Sequence, residues 1–240
     1  MSDLLLFCLP YAGGSAPRVY GEWAHRVPEP IQVVPLELPG RGARIAEPLL
    51  TRVNALTDDA LGAVLPRVDR PFALFGHSLG ALIAFELARR LEHLHRRVPA
   101  HVIVSGHGAP QLPPSPETDY QLPMPEFKRR LRDLAGTPEE ILANEELLEL
   151  FAPIIRADFE AADTYRYRPT PRLSCPLTVY GGLTDPEAEV STLSPWQEQT
   201  SAHCAVRVLP GGHFFLHHET DALLAGVVDD LLAALASDVH

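Results

Sequence analysis

Short, almost wholly apolar runs alternate along this chain with longer stretches whose apolar residues recur at helical spacing, and that alternation leaves few architectures open. Leu4–Leu9, Ile31–Leu36, Pro71–Phe75, His101–Ser105, Leu177–Tyr180 and Val206–Leu209 read as buried strands. Residues 55–68 put Leu56, Ala60, Leu61, Val64, Leu65 and Val68 on one helical face, and Leu79–Glu92 reads as a second helix. Leu223, Leu224, Val227, Val228, Leu231, Leu232 and Leu235 form the apolar stripe of a last helix. The pattern predicts the α/β class: a mostly parallel sheet flanked by helices, with reactive groups in the loops at the carboxyl ends of strands. Residues 107–170 break it. They hold no convincing strand, begin with a Pro-rich stretch from Pro110 to Pro125, and continue as helix-like segments at 126–135, 138–150 and 153–166. The expected organisation is a core of residues 1–106 and 171–240 with a helical insertion at 107–170. At 240 residues the chain buries roughly three quarters of its extended surface, enough for one sizeable core, with two small domains as the alternative. No internal repeat is present.

Composition removes several classes of function. The formal net charge of −11 argues against a nucleic-acid partner, which calls for clustered cations. Lys128 is the only lysine among 20 basic residues. No apolar stretch approaches the ~20 residues of a membrane span. The run Leu4–Leu9 is too short for a signal sequence and follows Asp3 where a basic segment belongs, so a cytoplasmic protein is expected. Cys8, Cys175 and Cys204 are odd in number, widely spaced and set in or beside apolar runs, which suits buried thiols better than a disulfide or zinc framework.

The strand Pro71–Phe75 runs into Gly76-His77-Ser78-Leu79-Gly80 and then a helix. A G-x-S-x-G turn in that context needs small residues on both sides of the serine, exposes its hydroxyl above the sheet and aims the next backbone N–H at the same point. The competing reading is a Gly-rich helix start with a capping serine. A serine needs a base, and His213 suits the role because it follows the last strand through Pro210-Gly211-Gly212. His107, just past a strand end, is a weaker rival, and His77 is expected to pack beside the site. His25, His203 and His240 lack strand-end context, and His93 and His95 sit at a basic helix end. His213, His217 and His218 have no acidic residue completing a zinc signature, so no metal is expected. Asp185, beyond the strand Leu177–Tyr180, is the candidate carboxylate to orient the imidazole; Asp158, Asp163 and Asp221 are rivals. Two backbone donors should form an oxyanion hole: Leu79 N–H, and Ala12 N–H in the loop Pro10-Tyr11-Ala12-Gly13-Gly14-Ser15, with Tyr11 as the alternative. The chain order Ser78, Asp185, His213 is that of the α/β-hydrolase fold.

Several motifs together resemble the type II thioesterases that accompany polyketide and nonribosomal peptide synthases. They are Leu9-Pro10-Tyr11-Ala12-Gly13-Gly14-Ser15, Leu38-Pro39-Gly40-Arg41-Gly42, Gly76 through Gly80, Arg156-Ala157-Asp158, Gly181 through Pro186, and Gly211 through Phe215. The resemblance covers nearly the whole chain; it is loose over 107–150. It implies an α/β-hydrolase core with a helical lid, and hydrolysis of stalled acyl groups from the phosphopantetheine arm of an acyl or peptidyl carrier protein. That arm belongs to the partner, so no cofactor of the chain's own is implied. A general serine carboxylesterase or a medium-chain fatty acyl thioesterase remains the alternative. Because carrier proteins are acidic and so is this chain, docking calls for a local basic patch. Lys128, Arg129, Arg130 and Arg132 are the first candidate, and Arg89, Arg90, Arg96 and Arg97 the second, against the plainer reading of solvated helix faces.

Overall fold

Leu-Leu-Leu-Phe-Cys-Leu offers no polar face, so it suits a strand covered on both sides. The computed structural model, which describes residues 4–114 and 118–237, places it there: β1 (Leu4–Leu9) is buried at every position. A short helix α1 (Ala16–Tyr20) follows, then β2 (Ile31–Pro35), α2 (Val53–Val64), β3 (Phe72–His77), α3 (Leu79–His95) and β4 (His101–Ser105). After the insertion come β5 (Leu177–Gly182) and β6 (Cys204–Leu209). The six strands form one parallel sheet in the order β2-β1-β3-β4-β5-β6. Only the edge strands are partly exposed: β6 leaves Val206 and Val208 open to solvent. One core layer lies between the sheet and α2 and α3, the other beneath α1 and the C-terminal helix.

The insertion supplies α4 (Met124–Leu134), α5 (Glu139–Ala143) and α6 (Glu145–Asp163). Phe127, Leu131, Leu142, Leu148, Ala152 and Ile155 pack into a small cluster of their own. Residues 115–117 of the Pro-rich stretch lie outside the described residues, as does His240. The helical segments differ from the expected boundaries. The break falls at Asn144, whose side chain accepts the Leu147 N–H at 3.1 Å as an N-cap, and α6 then runs unbroken through Pro153. Pro153 is tolerated because it and Glu149, whose carbonyl loses its helical partner, both face solvent. After β6, a one-turn helix α7 (Phe215–His218) leads into α8 (Thr220–Ser237). Its stripe buries Leu223, Leu224, Val227 and Leu231, but Leu232 turns outward, 40% exposed. Cys8 and Cys175 are buried as expected, whereas Cys204 on the edge strand is only half-buried. Burial pushes the Cys175 thiol up to about 12 and Cys204 up to about 11.

The strand order sets where a site can form. From β1 the chain crosses to one side, to β2; from β3 it crosses to the other, to β4. Loops leaving the two neighbours therefore diverge and open a crevice between them. The register aligns Leu9 with Gly76, so the segments following β1 and β3 begin level with each other. Gly182 and Leu209 are aligned in the same way, which brings the loops after β5 and β6 side by side.

Candidate active site

Ser78 joins β3 to α3 with no intervening loop, at φ 55° and ψ −117°. That backbone geometry ordinarily selects glycine, and a side chain there is strained by about 1–3 kcal/mol. The surroundings hold it in place. Ser78 N–H donates to the Ser105 carbonyl at 2.8 Å, and the Ser78 carbonyl accepts from Ala81 N–H at 2.9 Å. A Cβ on Gly76 would run into the Gly80 carbonyl, and one on Gly80 into the carbonyls of Leu9 and Pro10. The two glycines of G-x-S-x-G are thus demanded by backbone packed against backbone, and the serine is the residue left projecting. Ser78 and Leu79 both line a cavity of about 550 Å³ between sheet and insertion.

Ala12 and Tyr11 line the same cavity. Their loop is a tight turn closed by Gly14 N–H donating to the Tyr11 carbonyl at 2.9 Å. Gly13 N–H donates to Asp158 Oδ2 at 2.7 Å, and Glu37 accepts from Ser15 Oγ at 2.6 Å and Ala16 N–H at 3.0 Å.

His213 and Asp185 sit on the paired loops after β6 and β5. The loops are joined by Leu183 N–H to the Leu209 carbonyl at 2.8 Å and Thr184 N–H to the Gly211 carbonyl at 2.9 Å. His213 Nδ1 is 3.1 and 3.0 Å from Asp185 Oδ1 and Oδ2, and both residues are buried. Asp185 Oδ1 also accepts from the N–H groups of Glu187 (2.8 Å) and Ala188 (3.3 Å). With Nδ1 facing a carboxylate, the free Nε2 is the nitrogen available to the cavity that His213 and Ser78 share. No hydrogen bond joins Ser78 Oγ to His213 among the described residues; such bonds commonly tighten only with substrate bound.

The competing residues are engaged elsewhere. His107 lines the cavity, but its Nδ1 donates to the Gly108 carbonyl at 2.7 Å and its pKa is lowered by burial. His77 packs under the site, its ring centre 5.2 Å from that of His213, with Nδ1 2.9 Å from Ser105 Oγ. Burial first, and His213 second, hold it well below the usual histidine pKa, so it stays neutral beside its neighbour. Asp158 is bound by Arg41; Asp163 accepts from Tyr120 N–H at 3.4 Å; Asp221 is exposed and paired with Arg26. His217 Nε2 meets Tyr11 Oη at 3.0 Å, and no group of three or more potential metal ligands is found among the described residues.

The basic face at 128–132 is not free as a whole. Arg130 is ion-paired with Asp119 at 2.7 Å and with Glu187 at 2.6 Å, and Arg132 with Glu139 at 3.0 Å. Lys128 and Arg129 make no ion pair among the described residues, and Arg129 is exposed. In the second cluster Arg89 is buried against Glu86, and Arg90 is paired with Asp58. Sequence reading missed Glu37 and the Arg130–Glu187 pair, for which no local signal exists. It noted Arg41 and Asp158 in separate motifs without joining them.

A serine held in glycine's conformation between β3 and α3, at the switch point of a parallel sheet and roofed by a helical insertion, defines an α/β-hydrolase. A family model described as "Thioesterase domain" matches residues 5–231, and the chain belongs to that family of thioester hydrolases. It is 42% identical to the linear gramicidin dehydrogenase LgrE of Brevibacillus parabrevis, over 98% of this chain and 90% of that one. It is 38% identical to the thioesterase PikA5 of Streptomyces venezuelae, over 96% and 82%. The type II thioesterase BorB from the borrelidin biosynthetic cluster superposes with a TM-score of 0.88 at 38% identity, covering 95% of this chain and 93% of that one. Type II thioesterases of polyketide and nonribosomal peptide pathways are therefore its relatives. No described helix is long and apolar enough to cross a membrane.

Proposed function

We propose that this chain is an editing (type II) thioesterase that frees carrier proteins of aberrant or stalled acyl groups through a Ser78 acyl-enzyme. The observation that carries the reading is the meeting, around one cavity, of a strained Ser78 with a His213 whose Nδ1 is held by Asp185. In the first half-reaction His213 Nε2 takes the Ser78 proton as Oγ attacks the thioester carbonyl. The oxyanion lies against the N–H groups of Leu79 and Ala12. The phosphopantetheine thiolate departs; with a reference pKa of about 8.5 it needs less acid assistance than an alkoxide. Water activated by His213 then releases the acid. The lid's apolar wall of Leu131, Leu134, Ile155 and Phe159 suits an acyl chain better than a polar substrate. The arm is substrate carried by the partner, and these steps call for no metal and no resident cofactor.

The name of LgrE raises a dehydrogenase reading. No G-x-G-x-x-G dinucleotide loop occurs anywhere in this sequence, so that reading has no phosphate-binding turn to rest on. A general oxygen esterase shares the proposed machinery and is separated by substrate. The test is mass spectrometry of carrier proteins loaded with several acyl groups, incubated with wild type and with Ser78→Ala. Deacylation by wild type alone is expected, with a far lower kcat/KM for matched oxygen esters. Retention of more than a tenth of the wild-type rate by folded Ser78→Ala would remove the nucleophile assignment.

A further inference from the structure

Asp158 and Arg41 form an ion pair that the mechanism above does not use. Both side chains are buried, at 0% and 5% exposure, and the pair is bidentate: Nη1 to Oδ2 at 2.5 Å and Nη2 to Oδ1 at 2.7 Å. A pair this deeply buried is weak support for stability, because the desolvation of both charges offsets their attraction. The backbone is nonetheless arranged around it. Gly40 (φ +79°) and Gly42 (φ +51°) flank Arg41, which is itself extended and directed inward to the lid helix. Asp158 Oδ2 has a second partner, Gly13 N–H. Gly13 (φ +75°) lies directly under Ile155, one turn before Asp158 on α6; a Cβ there would come within 2.8 Å of Ile155 Cγ1.

The consequence falls on two peptide planes. Tyr11 C=O accepts from Gly14 N–H, and in a trans peptide the Ala12 N–H points opposite to the Tyr11 C=O. It therefore points out of the turn. The next plane carries Gly13 N–H, which the Asp158 carboxylate holds. With both planes fixed, Ala12 N–H has one direction. Arg41 in turn fixes the carboxylate, so its rotamer cannot drift from Gly13.

We propose that Asp158, clamped by Arg41, is a positioning residue that orients the Ala12 N–H of the oxyanion hole. The proposal rests on the reading of Ser78 as nucleophile and adds a role for a residue that touches no substrate atom. It also makes the second half of α6 part of the site's support.

Two double variants isolate the hydrogen bond from the charge: Arg41→Gln with Asp158→Asn, and Arg41→Gln with Asp158→Leu. Both lack the ion pair, the two side chains at 158 have the same number of heavy atoms and the same branching, and only the asparagine can accept Gly13 N–H. On a small acyl thioester, the leucine variant is expected to show a kcat about 10²-fold below the asparagine variant, with KM within threefold. Its affinity for an acyl trifluoromethyl ketone, which forms a tetrahedral adduct, should fall by a similar factor, while that for an unreactive acyl thioether stays the same. Thermal unfolding verifies that both are folded; if the leucine variant is not, Asp158→Ala in the same background takes its place with the same expectation. Equal kcat in folded acceptor and non-acceptor variants overturns the proposal, as does an equal loss of ketone and thioether binding. Ser78→Ala run alongside separates the two readings: if it stays active the nucleophile assignment has failed, and if it is inactive while the paired variants are equal only the positioning role has.

Discussion

Asp185→Asn should remove nearly all turnover while leaving the fold intact, and the geometry says why so small a change has so large an effect. Asp185 is 3% exposed, and its Oδ1 accepts two backbone N–H groups, from Glu187 and Ala188. An amide in this place must turn its oxygen to those donors, since turning its NH₂ to them would leave donors facing donors in a buried site. The NH₂ then occupies the position of Oδ2, 3.0 Å from His213 Nδ1. Nδ1 is forced to accept, the ring proton moves to Nε2, and the imidazole presents a donor to the cavity where a base is required. The Ser-protease precedent sets the loss at roughly 10⁴ in kcat, about 5.4 kcal/mol of barrier. Stopped-flow or steady-state hydrolysis of a small acyl thioester, scored as kcat with KM unchanged within threefold, measures it. Because the Oδ1 bonds persist, the melting midpoint should move by no more than a few degrees. A folded Asp185→Asn protein with more than a tenth of the wild-type kcat would refute the tautomer argument. A larger loss in Asp158→Asn than in Asp185→Asn would transfer the acid's role to the other carboxylate.

Two further outcomes follow from the lid. Desolvation is the main reason the half-exposed Asp163 carboxyl is pushed up to about 6, with Asp119 adding to it. The folded chain then holds this proton more tightly than the unfolded chain between about pH 4 and about pH 6. The stability contribution is complete below that window and lost as pH rises through it, so Asp163→Asn should be more stable than wild type at pH 7. Solvent screening brings the gain to about 1 kcal/mol; urea unfolding across the window reads it, and a gain that fails to shrink toward pH 4 contradicts the assignment. For docking, only Lys128 and Arg129 offer unpaired positive charge on α4 among the described residues, so reversing both should raise KM for an acyl-carrier substrate several-fold and spare a small acyl thioester; equal effects on the two substrates would remove the docking claim.

What could be read from the sequence is what one element needs on its own behalf. β1 has the expected bounds because a fully buried parallel strand is apolar at every position; β4 has them too, its apolar centre Val102-Ile103-Val104 flanked by His101 and Ser105, which are buried on hydrogen bonds to Thr178 and His77. The elbow was readable because Gly76 and Gly80 answer a steric demand of their own backbone. The same reasoning puts a break between 150 and 153 that α6 does not have, since whether a helix can run through Pro153 depends on which side of it faces water, and that is decided by packing. α1 was not foreseen: five residues do not establish a helical period.

Pairs across space follow a different logic. Arg41 and Asp158 are 117 residues apart, and nothing local to either segment pairs them. Their trace in the sequence is two separate motifs, Leu38 through Gly42 and Arg156 through Asp158, neither of which points to the other. The same helix that carries Asp158 also puts Ala161 into the main core and Glu160 on Arg52 at 2.6 Å, while its first half packs with α4 and α5 in the lid's own cluster. α6 is thus a lid helix at its start and a core helix at its end. A substitution in that second half should therefore be judged by the geometry of Ala12 and Ser78, which it supports, before it is judged as an effect on the lid.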